Sequence, residues 1–206
     1  MAQTNSTLEM LKLLRGETSL GVMECRRALD EAGQNYEQAL ANLRALAAAK
    51  AKKRSEHAAV EGTIELYTHA GGRIGVMVEI NTETEFAAGS EVFRRFAHEI
   101  ALQIASEDPL YVRDEDIPAQ TLEEVSLEAA TKARAAGKPD AIIDRIVNGA
   151  IEKYKNTHVL LRQAYIRDDS LSIGQLQDQV MGQVRENVVI RRFQRWAICA
   201  DVEENH

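Results

Sequence analysis

The sequence predicts an α+β protein: a three-helix N-terminal module followed by an antiparallel three-stranded sheet packed with helices. Three observations carry this reading. Apolar residues recur at helical spacing through the first 46 positions, alternate with period two from Val60 to Asn81, and return to helical spacing from Ser90. β-branched and aromatic residues then dominate Val188–Cys199. A chain of 206 residues buries roughly 70% of its unfolded surface and needs no disulfide or metal to fold.

The first helix is predicted near Thr7–Arg15, where Leu8, Leu11 and Leu14 share a side and Gly16 ends the run. A second, Val22–Ala32, repeats Val22, Cys25, Ala28 and Leu29 and is closed by Gly33. Asn35 and Gln38 resemble a capping box for a third, Tyr36–Leu46. The basic run Ala47–Ser55 reads either as a nucleic-acid patch or as a solvated helical linker. Val60, Gly62, Ile64 and Leu66 then alternate with polar residues; after Gly71-Gly72, so do Ile74, Val76, Val78 and Ile80. This predicts a tight hairpin with one buried face.

Ser90 caps a predicted helix whose stripe is Phe93, Phe96, Ala97, Ile100 and Ile104. Thr121 to Glu124 forms a capping box for another helix, to about Ala136, and Pro139 suits the first position of the next, to about Lys155. Val159–Arg167 reads as a strand, and Ser172 with Gln175 caps a helix carrying Ile173, Leu176, Val180 and Val184. The closing strand shows no clean apolar face. It is either an edge guarded by arginines or a surface shared with a partner, where Trp, Phe and Arg concentrate. The domain division that follows is 1–46 for the module, 47–58 for a basic helical linker, 59–200 for the α+β core that would also dimerise, and 201–206 for a tail.

Composition excludes several functions. The net charge is −7, but residues 1–56 hold nine Lys/Arg against seven Asp/Glu, leaving the excess acidity to the rest. So acidic a body repels phosphate backbones, and 5% aromatics is too few for base-stacking platforms, so no direct nucleic acid is expected. No apolar run approaches the ~18 residues of a membrane span, and Met1–Thr7 lacks the pattern of a signal peptide. Cys25 and Cys199 are too far apart for a redox or zinc motif; a reducing cytoplasm is the simplest compartment. No GxxxxGK(S/T), GxGxxG or GxSxG occurs, so no cofactor and no nucleotide of its own is expected. His57, His69, His98, His158 and His206 stand singly, and the acidic clusters lack calcium-loop spacing. No metal site and no enzyme are expected.

Three segments stand in collinear order: Leu20-Gly-Val-Met-Glu-Cys-Arg-Arg-Ala-Leu29, Val76-Met-Val-Glu-Ile-Asn-Thr-Glu-Thr-Glu-Phe-Ala-Ala88 and Glu186-Asn-Val-Val-Ile-Arg-Arg-Phe193. Taken together they resemble the elongation factor Ts family. The middle one is similar to a strand ending in that family's Asn-Cys-x-Thr-Asp-Phe-Val-Ala signature. Their order and spacing extend the resemblance over nearly the whole chain, about residues 4 to 200, and it is to the short form of the family, with one core unit.

The resemblance implies a ubiquitin-associated-like fold for the N-terminal module and a homodimer in which two core units replace tandem halves, with the last strand a place to look for the interface. It also implies guanine-nucleotide exchange on elongation factor Tu during translation. By position, Lys12, Val22 and Met23 would meet a helix of that GTPase, although Val22 reads equally as core of the module. Thr84, Glu85, Phe86 and Ala87 would form the turn driven between two partner helices near its magnesium ion. Phe86 would be the wedge, and Glu85 would hold the turn or touch the partner. Glu85, Ala87 and Thr82 replace the family's Asp, Val and Cys. An alternative is a holdase module for the same GTPase, with the altered turn too blunt for effective exchange.

Overall fold

The computed structural model describes residues 2–198, with side chains from Thr7 onward. Cys199, the tail at 201–206 and His206 lie outside the described residues. Three helices come first: α1 (Ala2–Thr18), α2 (Val22–Glu31) and α3 (Tyr36–Arg54). They enclose a small core of Leu14, Leu20, Cys25, Ala28, Leu29, Ala39 and Leu43. Asn35 caps α3 as the spacing predicts, its Oδ1 accepting from the Gln38 amide at 3.0 Å.

Helix α3 does not stop at Leu46. Alanine and lysine are strong helix formers, and they carry it eight residues further to Arg54. Nor is that extension wholly solvated, because Ala51 is buried in the core of the following α+β body.

The body is built on a sheet of three antiparallel strands in the order β1–β2–β5: β1 (Glu61–His69), β2 (Ile74–Thr82) and, far along the chain, β5 (Val188–Ala197). Between them come α4 (Glu85–Ala88), α5 (Glu91–Glu107), α6 (Ala119–Ala135), α7 (Asp140–His158), the short strands β3 (Ala164–Tyr165) and β4 (Asp168–Ser172), and α8 (Ile173–Val184). Helices α5 and α8 behave as their caps and stripes predict: Phe93, Phe96, Ala97, Ile100 and Ile104 are buried, as are Ile173 and Val180. Ser172 and Gln175 close a reciprocal capping box at 3.2 and 2.9 Å. Helix α6 starts at Ala119, so Thr121 lies within it rather than capping it, and Pro139 precedes α7 as its cap.

Three expectations about strands need correction. The hairpin joins through a 3₁₀ turn, Ala70–Gly72, rather than through Gly71-Gly72 alone. Val159–Arg167 is not one strand: Val159 makes an isolated bridge to Tyr111, Leu160–Arg162 forms a 3₁₀ turn, and only Ala164–Tyr165 forms a strand. Buried Gln163 explains the bend, since its Nε2 donates to the carbonyls of Glu107 and Thr157 at 3.3 and 2.8 Å. A straight ladder strand would forfeit those bonds.

The third correction concerns which side of β1 is buried. Thr63, Glu65 and Tyr67 stand opposite Ile80, Val78 and Val76, on the face covered by α5. Tyr67 packs against the core and Glu65 meets His98 at 3.0 Å. Ile64 and Leu66, opposite Glu79 and Met77, face away and are 59% and 69% exposed. The apolar residues of β1 therefore lie on the uncovered face of the sheet.

Strand β5 owes its mixed pattern to a bulge. Ile190 pairs with Ile80 and Arg192 with Glu79, leaving Arg191 as the extra residue. The inward set changes parity there, from Val188 and Ile190 to Phe193, Arg195 and Ala197. Arg191 spans the irregularity, its Nε donating to Asn81 Oδ1 at 2.7 Å.

Candidate functional site

As β2 ends at Thr82 the chain leaves the sheet in a single helical turn. Thr84 caps it, Oγ1 accepting from the Ala87 amide at 3.3 Å, and Ser90 closes it while opening α5. Four residues do not hold a helix on their own, so α4 depends on its surroundings. Ala87 and Ala88 face inward, 3% and 9% exposed, against the β1–β2 hairpin and α5. Glu85 is exposed, its carboxylate without a hydrogen bond or ion pair among the described residues. Phe86 points out and is 91% exposed.

Two carboxylates brace the turn reciprocally. Glu186, just ahead of β5, accepts from Thr84 N at 2.9 Å, Thr84 Oγ1 at 2.7 Å and Thr82 Oγ1 at 3.1 Å. Glu83 reaches the other way, accepting from the Asn187 amide at 2.6 Å and meeting His57 Nδ1 at 3.1 Å. Asn187 in turn donates to the His57 carbonyl at 2.7 Å. The Asn187 amide, helped by His57, holds the Glu83 carboxyl below its ordinary 4.5. Its contribution to the brace is therefore present above that value and lost as pH falls through the lowered one.

Glu83, Glu186 and Asn187 lie within the segments that carry the family resemblance, and His57 stands singly in the sequence, but nothing in the sequence assigns any of the four a role in this brace. Hydrogen-bonding partners more than a hundred positions apart leave no trace in local spacing.

The other predicted positions lie on the three-helix module. Lys12 is exposed on α1. Val22 and Met23 open α2 at 47% and 71% exposure, so Val22 is not core. Leu8 and Leu13 are also exposed, at 53% and 58%. Lys12 and Val22 share the wall of a cavity of about 970 Å³ between the module and α8; none of Thr84 to Ala87 lines it. No group of three or more His, Cys, Asp or Glu among the described residues could hold a metal ion, and no described helix is long and apolar enough to cross a membrane.

Asp178 of α8 lines the same cavity, without a hydrogen-bond or ion-pair partner among the described residues. Burial pushes its carboxyl up to about 6. A carboxyl raised above its ordinary 3.8 destabilises the fold wherever it is ionised: fully above 6, fading as pH falls, and not at all below 3.8. Asp178→Asn should therefore stabilise the protein at neutral pH by about 1–2 kcal/mol after discounting for partial exposure. Urea unfolding at neutral and at acid pH checks this, and the gain should vanish at acid pH.

The fold and site thus define a class: an α+β protein with a three-helix N-terminal unit and an exposed aromatic ring on a braced turn. The family model described as "Elongation factor TS" matches residues 27–199. An elongation factor Ts of Caldanaerobacter subterraneus subsp. tengcongensis is 43% identical over 95% of this chain and 98% of that relative. One of Coprothermobacter proteolyticus is 42% identical over 92% and 96%, and one of Syntrophomonas wolfei 38% identical over 96% and 92%. The chain belongs to the elongation factor Ts family, and is thereby a factor of translation elongation.

Proposed function

We propose that this chain is a guanine-nucleotide exchange factor for elongation factor Tu, acting by contact and without making or breaking bonds. The observation that carries the reading is Phe86: a rigid apolar ring, almost fully exposed, on a turn fixed by two carboxylates. Burying such a ring in a matching pocket is worth roughly 2–3 kcal/mol, and the brace means that little of this is lost in ordering the turn. Phe86 enters between two helices of the GTPase and moves them. Magnesium and the phosphate-binding loop loosen, and GDP leaves. Thr84 caps the turn, Glu85 meets the displaced helix, and buried Ala87 supports the ring from beneath. Lys12, Val22 and Met23 lean on a second helix of the partner.

Linkage completes the cycle. A factor that weakens GDP binding is itself bound more weakly by the same ratio when GDP is present, so incoming nucleotide displaces it. Stopped-flow release of fluorescent GDP from elongation factor Tu tests the proposal, and acceleration by this chain is the expected result. A stable complex with an unchanged release rate would leave only a holdase.

The factor works as a homodimer joined through the uncovered sheet face. Ile64, Leu66, Met77 and Trp196 lie on three neighbouring strands of that face and are 59%, 69%, 46% and 72% exposed. A contiguous apolar surface of this kind is a protein-binding feature. Sedimentation equilibrium should give twice the chain mass, and Leu66→Glu should give the single mass; a monomer in both cases refutes the dimer.

A further inference from the structure

The cavity between the three-helix module and α8 concentrates cations in an otherwise acidic protein. Its wall carries Lys12 and Arg15 from α1, Lys50 and Arg54 from α3, and Arg185 at the end of α8. The acids among its lining residues are Glu24 and Asp178. Glu24 is committed to Lys50 at 2.5 Å. Lys12, Arg15, Arg54 and Arg185 have no ion pair or hydrogen bond of their side chains among the described residues. The Nη1 of Arg54 is buried and has no acceptor there, a cost that a protein rarely leaves unanswered. The first turn of α2 adds the positive end of a helix, with Gly21 and Val22 in the wall.

We propose that this cavity binds a phosphate-class oxyanion with at least two linked phosphate groups. Four unpaired cations from α1, α3 and the end of α8 outnumber the roughly two negative charges of one phosphate, and planar guanidinium groups suit paired phosphate oxygens. A volume of about 970 Å³ accommodates a small molecule of that kind.

Bound there, the anion bridges α1, α3 and α8. These helices already meet across the seam where Gln179 donates to the Glu17 carbonyl and Gln183 to Ser19 Oγ. The site also abuts the brace. Arg185 immediately precedes Glu186, and Arg54 leads into Ser55 and His57, whose carbonyls hold Asn187.

Inorganic pyrophosphate titrated calorimetrically into the full chain at constant ionic strength tests this. Saturable one-to-one binding is the expected result. Arg54→Gln should weaken it at least tenfold, and so should Lys12→Gln, whose exposed position leaves the fold untouched. Lys53→Gln should change it less than twofold, because Lys53 sits on the same helix but outside the cavity. GDP titrated in parallel separates the two sources of a phosphate chain: equal affinity assigns the site to bare phosphates, tighter binding to a nucleotide. Absence of saturable binding overturns the proposal, as does equal weakening by Lys12→Gln and Lys53→Gln, which would mark mere charge screening.

Discussion

Phe86→Ala should lower the GDP-release rate stimulated by this protein by about 30- to 150-fold, the equivalent of roughly 2–3 kcal/mol of lost ring burial in the complex. Its own stability should not change, because a ring 91% exposed contributes almost nothing to the free fold. That contrast makes the result decisive. A core phenylalanine such as Phe93, fully buried beneath the sheet, would cost several kcal/mol on the same replacement, and any effect on exchange would be confounded with unfolding. Stopped-flow release paired with a urea titration separates the two. If Phe86→Ala matches the wild-type release rate at unchanged stability, the ring is not the wedge.

What was legible in the sequence is what local physics encodes. Ser90 and Ser172 announce α5 and α8 because a cap needs only a hydroxyl placed three residues before the amide it accepts from. The stripe from Phe93 to Ile104 is equally local. Strand β1 shows where that ends. Alternation says that two faces differ, but which face meets the helices is set by pairing with β2 and by Tyr67 and Glu65, which cover the core with an aromatic body and a hydrogen bond to His98. Hydropathy alone points Ile64 and Leu66 inward, and the packing turns them outward. At β5 one bulged residue, Arg191, breaks the parity on which strand reading depends.

The candidate site divides in the same way. Thr84 to Phe86 could be read from the motif, whereas the carboxylates that brace them belong to segments brought together only by the sheet. In β5 the arginines that obscured the pattern also have structural work: Arg192 pairs with Glu79 at 2.7 Å, and Arg195 reaches Asp108 at 3.2 Å.

Glu186 gives the second large effect. Its side chain touches only this chain's own turn, so it is a positioning residue, and its worth lies in how firmly it presents Phe86. Three bonds to one carboxylate, one of them from the Thr84 amide, fix the start of α4. Bonds to charged groups contribute about 1.5–3 kcal/mol each, and water replaces part of that at this half-buried site. Glu186→Ala should therefore destabilise the turn by about 2 kcal/mol and slow stimulated GDP release by roughly 30-fold. Glu83 keeps the opposite half of the brace, so the body should stay folded, which circular dichroism would check. The discriminating measurement is the double variant. If Glu186 acts through the ring, adding Glu186→Ala to Phe86→Ala costs no further rate, because a loosened turn without its wedge has nothing left to misplace. Fully additive losses would instead mean that the carboxylate itself meets the partner, and the positioning role would be wrong.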